Sequence, residues 1–169
     1  GILNVTPDSF SDGGLHNSKQ QAIEHALQMI ADGATVIDIG GESTRPGAAV
    51  VTVEEELTRV IPVVEVLAKE NVILSIDTSQ PEVMRQAVEA GAHIWNDVRA
   101  LTRPNALETA AELNIPVILM HMRGEPTTMN QLADYRDVTT EVIAELKQKI
   151  DLAIQVGVTP ENIMIDPGF

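Results

Sequence analysis

The feature that most constrains the fold is an alternation of short, β-branched apolar runs with longer amphipathic segments, repeated six times along 169 residues. The runs predicted as strands are Ile2–Val5, Thr35–Ile39, Val72–Ile76, His93–Trp95, Val117–Met120 and Ile163–Ile165. Apolar runs that are continuous rather than alternating are typical of parallel strands buried on both faces. The repeat of strand and helix therefore predicts a parallel α/β fold.

Local signals for helix ends accompany this repeat. Pairs with capping-box spacing, which predict helix starts, are Ser18 with Gln21, Thr52 with Glu55, Ser79 with Glu82, and Asn105 with Glu108. The predicted helix stops are Gly33, Gly91 and Gly157. Pro62 lies within the second predicted helix, where it predicts a kink or a local break. The fifth predicted helix has a stripe that we expect to be buried, made of Val138, Val142, Ile143, Leu146, Ile150 and Ile154.

Two architectures fit this order of elements: an open doubly wound sheet and a (β/α)8 TIM barrel. A complete barrel needs about 250 residues, so this chain would hold about six of the eight β/α units. The chain has no initiator Met, opens inside one apolar run and stops just after another. We therefore expect residues 1–169 to form one domain that is truncated at both ends.

Composition excludes several classes of partner. The net charge of −14 argues against a nucleic-acid surface, because phosphate backbones need a basic footprint. No apolar run approaches the ~20 residues of a membrane helix, and the first residues do not resemble a signal peptide. The absence of cysteine rules out disulfides and thiolate metal sites. An anionic substrate is still compatible with this charge, since a cleft can be locally positive or hold a metal ion.

Polar residues follow the predicted strands at the point where each one ends. They are Asn4, the Gly40–Gly47 segment, Asp77, Asn96 with Asp97, His121 and Asp166. Singly, each has an ordinary interpretation as a helix cap or a loop residue. Together they predict a site, because both candidate folds bind ligands beyond the C-terminal ends of their strands. Carboxylates and an amide suit the edge of a flat heterocycle, and the glycine-rich segment with Arg45 suits a phosphate or carboxylate.

These residues also carry a family resemblance. Residues 4–14, Asn-Val-Thr-Pro-Asp-Ser-Phe-Ser-Asp-Gly-Gly, resemble the N-terminal signature of dihydropteroate synthases, and residues 40–47, Gly-Gly-Glu-Ser-Thr-Arg-Pro-Gly, resemble the second signature. Residues 75–78, 96–97, 120–122 and 166–169 then follow in the family's order. The resemblance covers the whole chain and implies a (β/α)8 barrel.

The resemblance also implies a function. Members of this family are cytoplasmic transferases of folate biosynthesis and the targets of sulfonamides. They condense 6-hydroxymethyl-7,8-dihydropterin pyrophosphate with p-aminobenzoate, using Mg²⁺, to give 7,8-dihydropteroate and pyrophosphate. The full-length protein is expected to be a homodimer, with small-molecule substrates and neither nucleic-acid nor membrane partners.

Roles follow by position from the same resemblance. Asp77 and Asn4 match catalytic positions, and Asn4 matches the position near Mg²⁺ and pyrophosphate. The pterin pyrophosphate would contact Thr44, Asp77, Asn96, Asp166 and Met120. The pocket for p-aminobenzoate and sulfonamides would involve Phe10, Ser43, Arg45 and Pro46.

Two later family motifs, a Ser-Arg-Lys stretch and an Arg-x-His stretch, have no counterpart here. We therefore expect this chain alone to be inactive. Two alternatives stay open from the sequence. One is a pterin-binding methyltransferase-type barrel, which shares Asp and Asn at strand ends but is not expected to carry Ser-Thr-Arg-Pro-Gly. The other is a non-catalytic pterin-binding fragment.

Overall fold

The computed structural model describes residues 1–6, 14–42, 51–124, 128, 132 and 134–168, with side chains from residue 19 onward in the first helix. The strands are β1 Ile2–Asn4, β2 Val36–Gly40, β3 Ile73–Asp77, β4 Ile94–Asp97, β5 Val117–Met120 and β6 Ile163–Asp166. The helices are α1 Gly14–Ala31, α2 Val53–Leu67, α3 Pro81–Ala90, α4 Ala106–Leu113 and α5 Val138–Val156, and a short 3₁₀ turn, Pro160–Asn162, precedes β6. All six predicted strands are confirmed, each within two residues at either end.

The six strands form one parallel sheet in the order β1-β2-β3-β4-β5-β6. A doubly wound sheet reverses its strand order at a switch point, and this sheet has no reversal. Sequential parallel strands with right-handed helical crossovers place the helices on a single face. This winding is that of a (β/α)8 barrel with about six of its eight units present, so the barrel prediction is confirmed and the doubly wound alternative is wrong.

The two faces of the sheet differ in chemistry because side chains alternate along each strand. The outer face, toward the helices, carries buried aliphatic residues and one aromatic residue, including Ile37, Ile39, Leu74, Ile76 and Trp95. They pack with Val60, Val63 and Leu67 of α2 and with Met84 of α3 in one aliphatic core. The inner face carries aliphatic residues, such as Ile94 and Ile118, together with polar groups, namely Asn4, Asp38, Ser75, Asp77 and Asn96.

Several helix ends follow the predicted signals. Thr52 and Glu55 form a complete capping box at α2. Gly33, Gly91 and Gly157 lie just past helix ends with φ values of 102°, 112° and 114°. Pro62 was predicted to cause a kink or a local break; the break is wrong, because α2 runs through this residue from Val53 to Leu67, and the kink stays a prediction. The valines and leucine that α2 buries on both sides of Pro62 hold the two halves against the sheet.

Three predicted capping boxes are wrong. The first helix begins at Gly14, so Ser18 lies within it. Ser79 does not cap α3, whose N-cap is Gln80; the Ser79 hydroxyl donates instead to Asp97. Asn105 does occupy the N-cap of α4, but in a left-handed conformation (φ 64°) and with no side-chain cap hydrogen bond. Local spacing signals a helix start, but a tertiary partner can take the capping hydroxyl.

The predicted stripe of α5 is only partly buried. Leu146 is buried, whereas Val138, Ile143 and Ile154 are 54%, 62% and 41% exposed. The two edge strands likewise expose Ile2 of β1 and both Met164 and Ile165 of β6. Apolar exposure is thus concentrated at the two open ends of the sheet and on the last helix. Within the described residues, no helix combines the length and apolar character that a membrane span requires.

Candidate ligand-binding site

One row of residues crosses the sheet at the C-terminal ends of its first four strands. Asn4 pairs in register with Gly40, Gly40 with Asp77, and Asp77 with Asn96. Residues in one register row of a parallel sheet project to the same face. The fold therefore brings the predicted site residues Asn4, Asp77 and Asn96 together on the inner face.

The other two described site residues lie on the last two strands. Met120 of β5 pairs in register with Asp166 of β6. Asn96 pairs with Ile118, which pairs with Met164, so Met120 and Asp166 lie two residues further along the same inner face. Asp166 Oδ1 accepts the Gly168 N–H at 2.8 Å. Gly168 has φ 76°, and a Cβ there would lie 2.3 Å from the His121 carbonyl oxygen, which explains the glycine of Asp-Pro-Gly.

Asp38, in the middle of β2, was not among the predicted site residues. Its two carboxylate oxygens accept hydrogen bonds from different residues. Oδ1 accepts one from the Ser75 hydroxyl at 2.5 Å, and Oδ2 accepts one from the Asn96 Nδ2 amide at 3.1 Å. In the sequence, Asp38 lies within the apolar run Thr35–Ile39 that predicts β2. The signal that could have revealed it is an acid two residues before Gly40, and therefore on the inner face of a strand whose alternate residues are isoleucines.

Burial, together with the charges of Asp38, Asp97, Glu56 and Glu42, raises the pKa of Asp77 to about 7. A carboxyl in this state exchanges its proton near neutral pH, so it can donate or accept a hydrogen bond. A ligand that brings hydrogen-bond donors or positive charge would stabilise its ionised form.

Gly40 leaves open space between two of these groups. A Cβ at this position would lie 3.4 Å from Asp77 Oδ2 and 3.7 Å from Asn4 Oδ1. The backbone of Gly40 is not left-handed, so its φ does not require glycine. What glycine provides here is room beside two oxygen atoms that face the same volume.

A second acid cluster lies on the outer face, between the sheet and the helices. Asp97 is fully buried and accepts the Ser79 hydroxyl at 2.5 Å, the Arg99 N–H at 2.9 Å and the Leu101 N–H at 2.8 Å. These bonds hold Ala100 and Leu101 in left-handed conformations, with φ of 50° and 58°. The Arg99 guanidinium in turn donates to Glu42 at 3.2 Å and to Ser79 at 3.1 Å. Asp97 is thus a structural residue of the loop that follows β4.

Glu56 of α2 is 1% exposed and completes this outer cluster. Burial raises its pKa to about 7; the nearby Glu42 also raises it, while Thr78, Arg99 and Arg59 lower it. Its Oε1 atom has no hydrogen-bond partner within the described part of the chain. In the folded protein Glu56 is therefore mostly neutral below about pH 7.

His121 follows β5 but does not join the inner row. Its Nε2 atom contacts Glu145 Oε2 of α5 at 2.8 Å. Arg123 bonds the same glutamate and Glu141, and it lies 3.9 Å from the centre of the Tyr135 ring. These contacts fasten the start of the loop after β5 to α5. His121 is therefore a structural residue in this chain.

The remaining predicted residues, Phe10, Ser43, Thr44, Arg45 and Pro46, lie outside the described residues. In the described part of the chain, no group of three or more His, Cys, Asp or Glu side chains is arranged to hold a metal ion. Asn4, which is exposed, is the oxygen donor on this rim that was predicted to lie near a cation.

Comparison with known proteins adds three findings. The family model described as pterin binding enzyme matches residues 1–169. The dihydropteroate synthase of Escherichia coli K12 is 58% identical over 170 residues, which cover 100% of this chain and 60% of the relative. The chain thus spans about 60% of the length of this curated relative.

Solved structures that are similar to this chain are also dihydropteroate synthases. A Yersinia pestis dihydropteroate synthase in complex with a sulfonamide drug is 52% identical, with a TM-score of 0.93 over 100% of this chain and 62% of that one. A Xanthomonas albilineans dihydropteroate synthase with 4-aminobenzoic acid is 52% identical, with a TM-score of 0.92 over 100% of this chain and 60% of that one.

Proposed function

Because this chain belongs to the pterin binding enzyme family, we propose that it is the larger part of a dihydropteroate synthase of folate biosynthesis. The reaction condenses 6-hydroxymethyl-7,8-dihydropterin pyrophosphate with p-aminobenzoate and yields 7,8-dihydropteroate and pyrophosphate. The comparison proteins named above are dihydropteroate synthases, one with a sulfonamide and one with 4-aminobenzoic acid. The whole protein is the longer chain, comparable in length to these relatives, that would contain residues 1–169.

The observation that carries this proposal is the row of oxygen-bearing side chains on the inner face. Asp77 is placed among other acids, and burial and the charges of these acids raise its pKa. Such a group is stabilised by a ligand rich in N–H donors or by a positive charge that develops during reaction. The donor-bearing edge of a pterin meets this requirement, with Asp77, Asn96 and Asp166 as its partners. Met120, which pairs with Asp166, would form an apolar wall beside the ring.

The chemistry needs no activated nucleophile. The C–O bond between the pterin methylene and pyrophosphate breaks, and its electron pair leaves with pyrophosphate. The methylene carbon is left cationic, and the aniline nitrogen of p-aminobenzoate forms the new C–N bond and then loses a proton. Ionised Asp77 beside the pterin would stabilise the cationic stage more than the ground state, which is how electrostatic catalysis accelerates a step.

We propose Mg²⁺ as the cofactor and Asn4 as its ligand on this chain. Mg²⁺ prefers hard oxygen ligands, keeps several waters, and binds commonly through one or two protein groups together with substrate phosphates. The Asn4 amide oxygen at the exposed rim suits this pattern, and a dedicated cage of acids is not needed. When bound, Mg²⁺ would neutralise charge on the departing pyrophosphate.

The pocket for p-aminobenzoate and sulfonamides is proposed from the resemblance and comprises Phe10, Ser43, Arg45 and Pro46, with Thr44 at the pterin pyrophosphate. In the same way, we propose a cytoplasmic homodimer for the whole protein. Gel filtration with light scattering would give the mass; a monomer at micromolar concentration would contradict the dimer.

The test is pyrophosphate release by the purified whole protein. Release should require both substrates and Mg²⁺, and a sulfonamide should compete with p-aminobenzoate. Pterin binding without pyrophosphate release would instead favour a non-catalytic pterin-binding module. Methyl transfer from a methylated folate would favour the methyltransferase-type barrel. Residues 1–169 alone, which leave β1 and β6 as open edges, should release no pyrophosphate above background.

A further inference from the structure

We propose that Asp38 is a positioning residue, whose carboxylate fixes the orientation of the Asn96 side-chain amide toward the ligand. The inference rests on the proposed function and assigns a role to a residue in the middle of β2 that the resemblance leaves without one. Asp38 precedes Gly40 by two residues and shares its face of the sheet, directly below the row formed by Asn4, Gly40, Asp77 and Asn96.

The geometry shows how the orientation is set. An asparagine amide has two orientations of nearly equal shape but opposite hydrogen-bonding character. An ionised carboxylate only accepts hydrogen bonds, so it selects the orientation in which Asn96 turns Nδ2 toward Asp38 Oδ2, at 3.1 Å. The flipped amide would set two oxygen atoms against each other, at a free-energy cost.

Ser75 fixes the second carboxylate oxygen of Asp38. It is buried on β3 between Asp38 and the strand that carries Asn96, and its hydroxyl donates to Asp38 Oδ1 at 2.5 Å. Both oxygens of Asp38 therefore have defined donors, and the plane of the carboxylate is fixed. The order of influence runs from Ser75 to Asp38 to Asn96.

The consequence for ligand recognition concerns the Oδ1 atom of Asn96. With Nδ2 committed to Asp38, the Oδ1 acceptor of Asn96 is turned away from Asp38. Asn96 pairs in register with Asp77, so two acceptor groups lie side by side on neighbouring strands. A ligand edge with adjacent N–H donors matches this pair, whereas an edge with adjacent carbonyls does not.

The experiment is a double-mutant cycle on the affinity for 6-hydroxymethyl-7,8-dihydropterin pyrophosphate, measured by calorimetry on the whole protein without p-aminobenzoate. Asp38→Asn, which keeps shape but loses the obligatory acceptor, should weaken binding about tenfold when Asn96 is present. In the Asn96→Ala background the same change should have less than about twofold effect, because a positioning residue has nothing left to position.

Ser75→Ala gives a second, milder variant that does not depend on the folding of Asp38→Asn, with an expected loss of about threefold. Its matched control is Ser79→Ala, which removes a serine–aspartate hydrogen bond of the same 2.5 Å length from the outer cluster. Ser79→Ala should lower the melting temperature and leave the affinity for the pterin unchanged.

Three results would overturn the inference. Additive losses for Asp38→Asn and Asn96→Ala would mean that Asp38 contacts the ligand itself. Unchanged affinity for both Asp38→Asn and Ser75→Ala, with a lower melting temperature, would mean a purely structural role. Equal effects of Ser75→Ala and Ser79→Ala on affinity would mean that any lost hydroxyl loosens the site. If instead the unmutated protein failed to bind the pterin, the proposed function would fail, separately from this inference.

Discussion

Two clusters of acids lie on opposite sides of the same sheet and differ in how their carboxyl groups are partnered. In the outer cluster, Asp97 is surrounded by the Ser79 hydroxyl and two backbone N–H groups, and Arg99 joins it to Glu42. In the inner cluster, Asp38 is held by neutral donors, while Asp77 is placed among acids that raise its pKa. A buried acid with satisfied partners stabilises the fold, whereas one left open is available to a ligand.

The largest expected effect is on the outer cluster. Asp97→Ala would leave two buried N–H groups and a hydroxyl without their acceptor and would free the left-handed segment Ala100–Leu101. Leaving a buried hydrogen-bonding group without its partner typically costs about 1–3 kcal/mol of stability for each group. Chemical unfolding of the whole protein should show that loss, while pterin affinity of the folded fraction stays the same. A stable variant with weakened pterin binding would mean that Asp97 belongs to the binding site, and the distinction between the outer and inner clusters would be wrong.

The inner counterpart is Asp77→Asn. Removing one electrostatic group that acts in the transition state costs on the order of 10²–10³ in turnover number. Folding should not suffer: the raised pKa of Asp77, about 7, means that ionisation of this carboxyl does not stabilise the fold, so asparagine removes no stabilising charge. Steady-state pyrophosphate release tests the expected loss of turnover, and thermal unfolding of the same sample tests the expected stability. Retained turnover, or a collapsed melting transition, would contradict the assignment.

The pH dependence of stability, measured with and without Glu56, tests whether the outer cluster affects folding and not ligand binding. Its folded pKa of about 7 is above its ordinary value of 4.5. Between these pH values the folded state binds more protons than the unfolded state, so stability falls as pH rises through about 7. Glu56→Gln should remove this dependence, with a gain on the order of 2–3 kcal/mol above pH 7 and little gain near pH 4.5.

The measurement for Glu56 is the difference in free energy of unfolding between variant and unmutated protein across this range. A difference that is constant with pH would mean that Glu56 does not titrate in the folded protein. Pterin affinity serves as the control and should not change, because Glu56 belongs to the outer cluster.

How much of this was predictable from sequence depends on the range of each interaction. The strands were predictable, because apolar periodicity marks them, and so was the convergence of Asn4, Asp77 and Asn96, because parallel strands deliver their C-terminal residues to one edge. The faces were harder to predict. Asn96 and Asp97 are neighbours in sequence, yet one faces inward and the other lies in the helix layer. The roles of Phe10, Thr44 and the other loop residues stay predictions.

In several of the wrong or missed predictions, a partner distant in sequence decides the outcome. Ser79 has the spacing of a helix cap, but Asp97, eighteen residues away, takes its hydroxyl. In the sequence, Asp38 is part of an apolar run. Its hydrogen bonds to Ser75 of β3 and Asn96 of β4 become evident only in the folded sheet. The stripe of α5 shows that the helix is amphipathic, but it does not specify what covers Ile143 or Ile154.

The smallest expected effects come from two adjacent glycines, which offer the closest test of the two faces. A Cβ on Gly41 would lie 2.7 Å from Val60 Cγ2 and 2.9 Å from Glu56 Cγ, inside the packed layer between sheet and helix. Gly41→Ala should therefore cost about 1–3 kcal/mol of stability through overpacking, with pterin affinity unchanged.

Gly40→Ala differs because its methyl group would enter the open volume beside Asp77 and Asn4, at ordinary contact distances of 3.4 and 3.7 Å. It should fold with a melting temperature within a degree or two of the unmutated protein, since nothing in the core has to move. The methyl group would occupy space that the ligand needs, so pterin pyrophosphate should bind about tenfold more weakly. Calorimetry and thermal unfolding on both variants give the answer. If Gly40→Ala bound normally, the ligand would not use the space between Asp77 and Asn4, and the row across β1 to β4 would not be its binding surface.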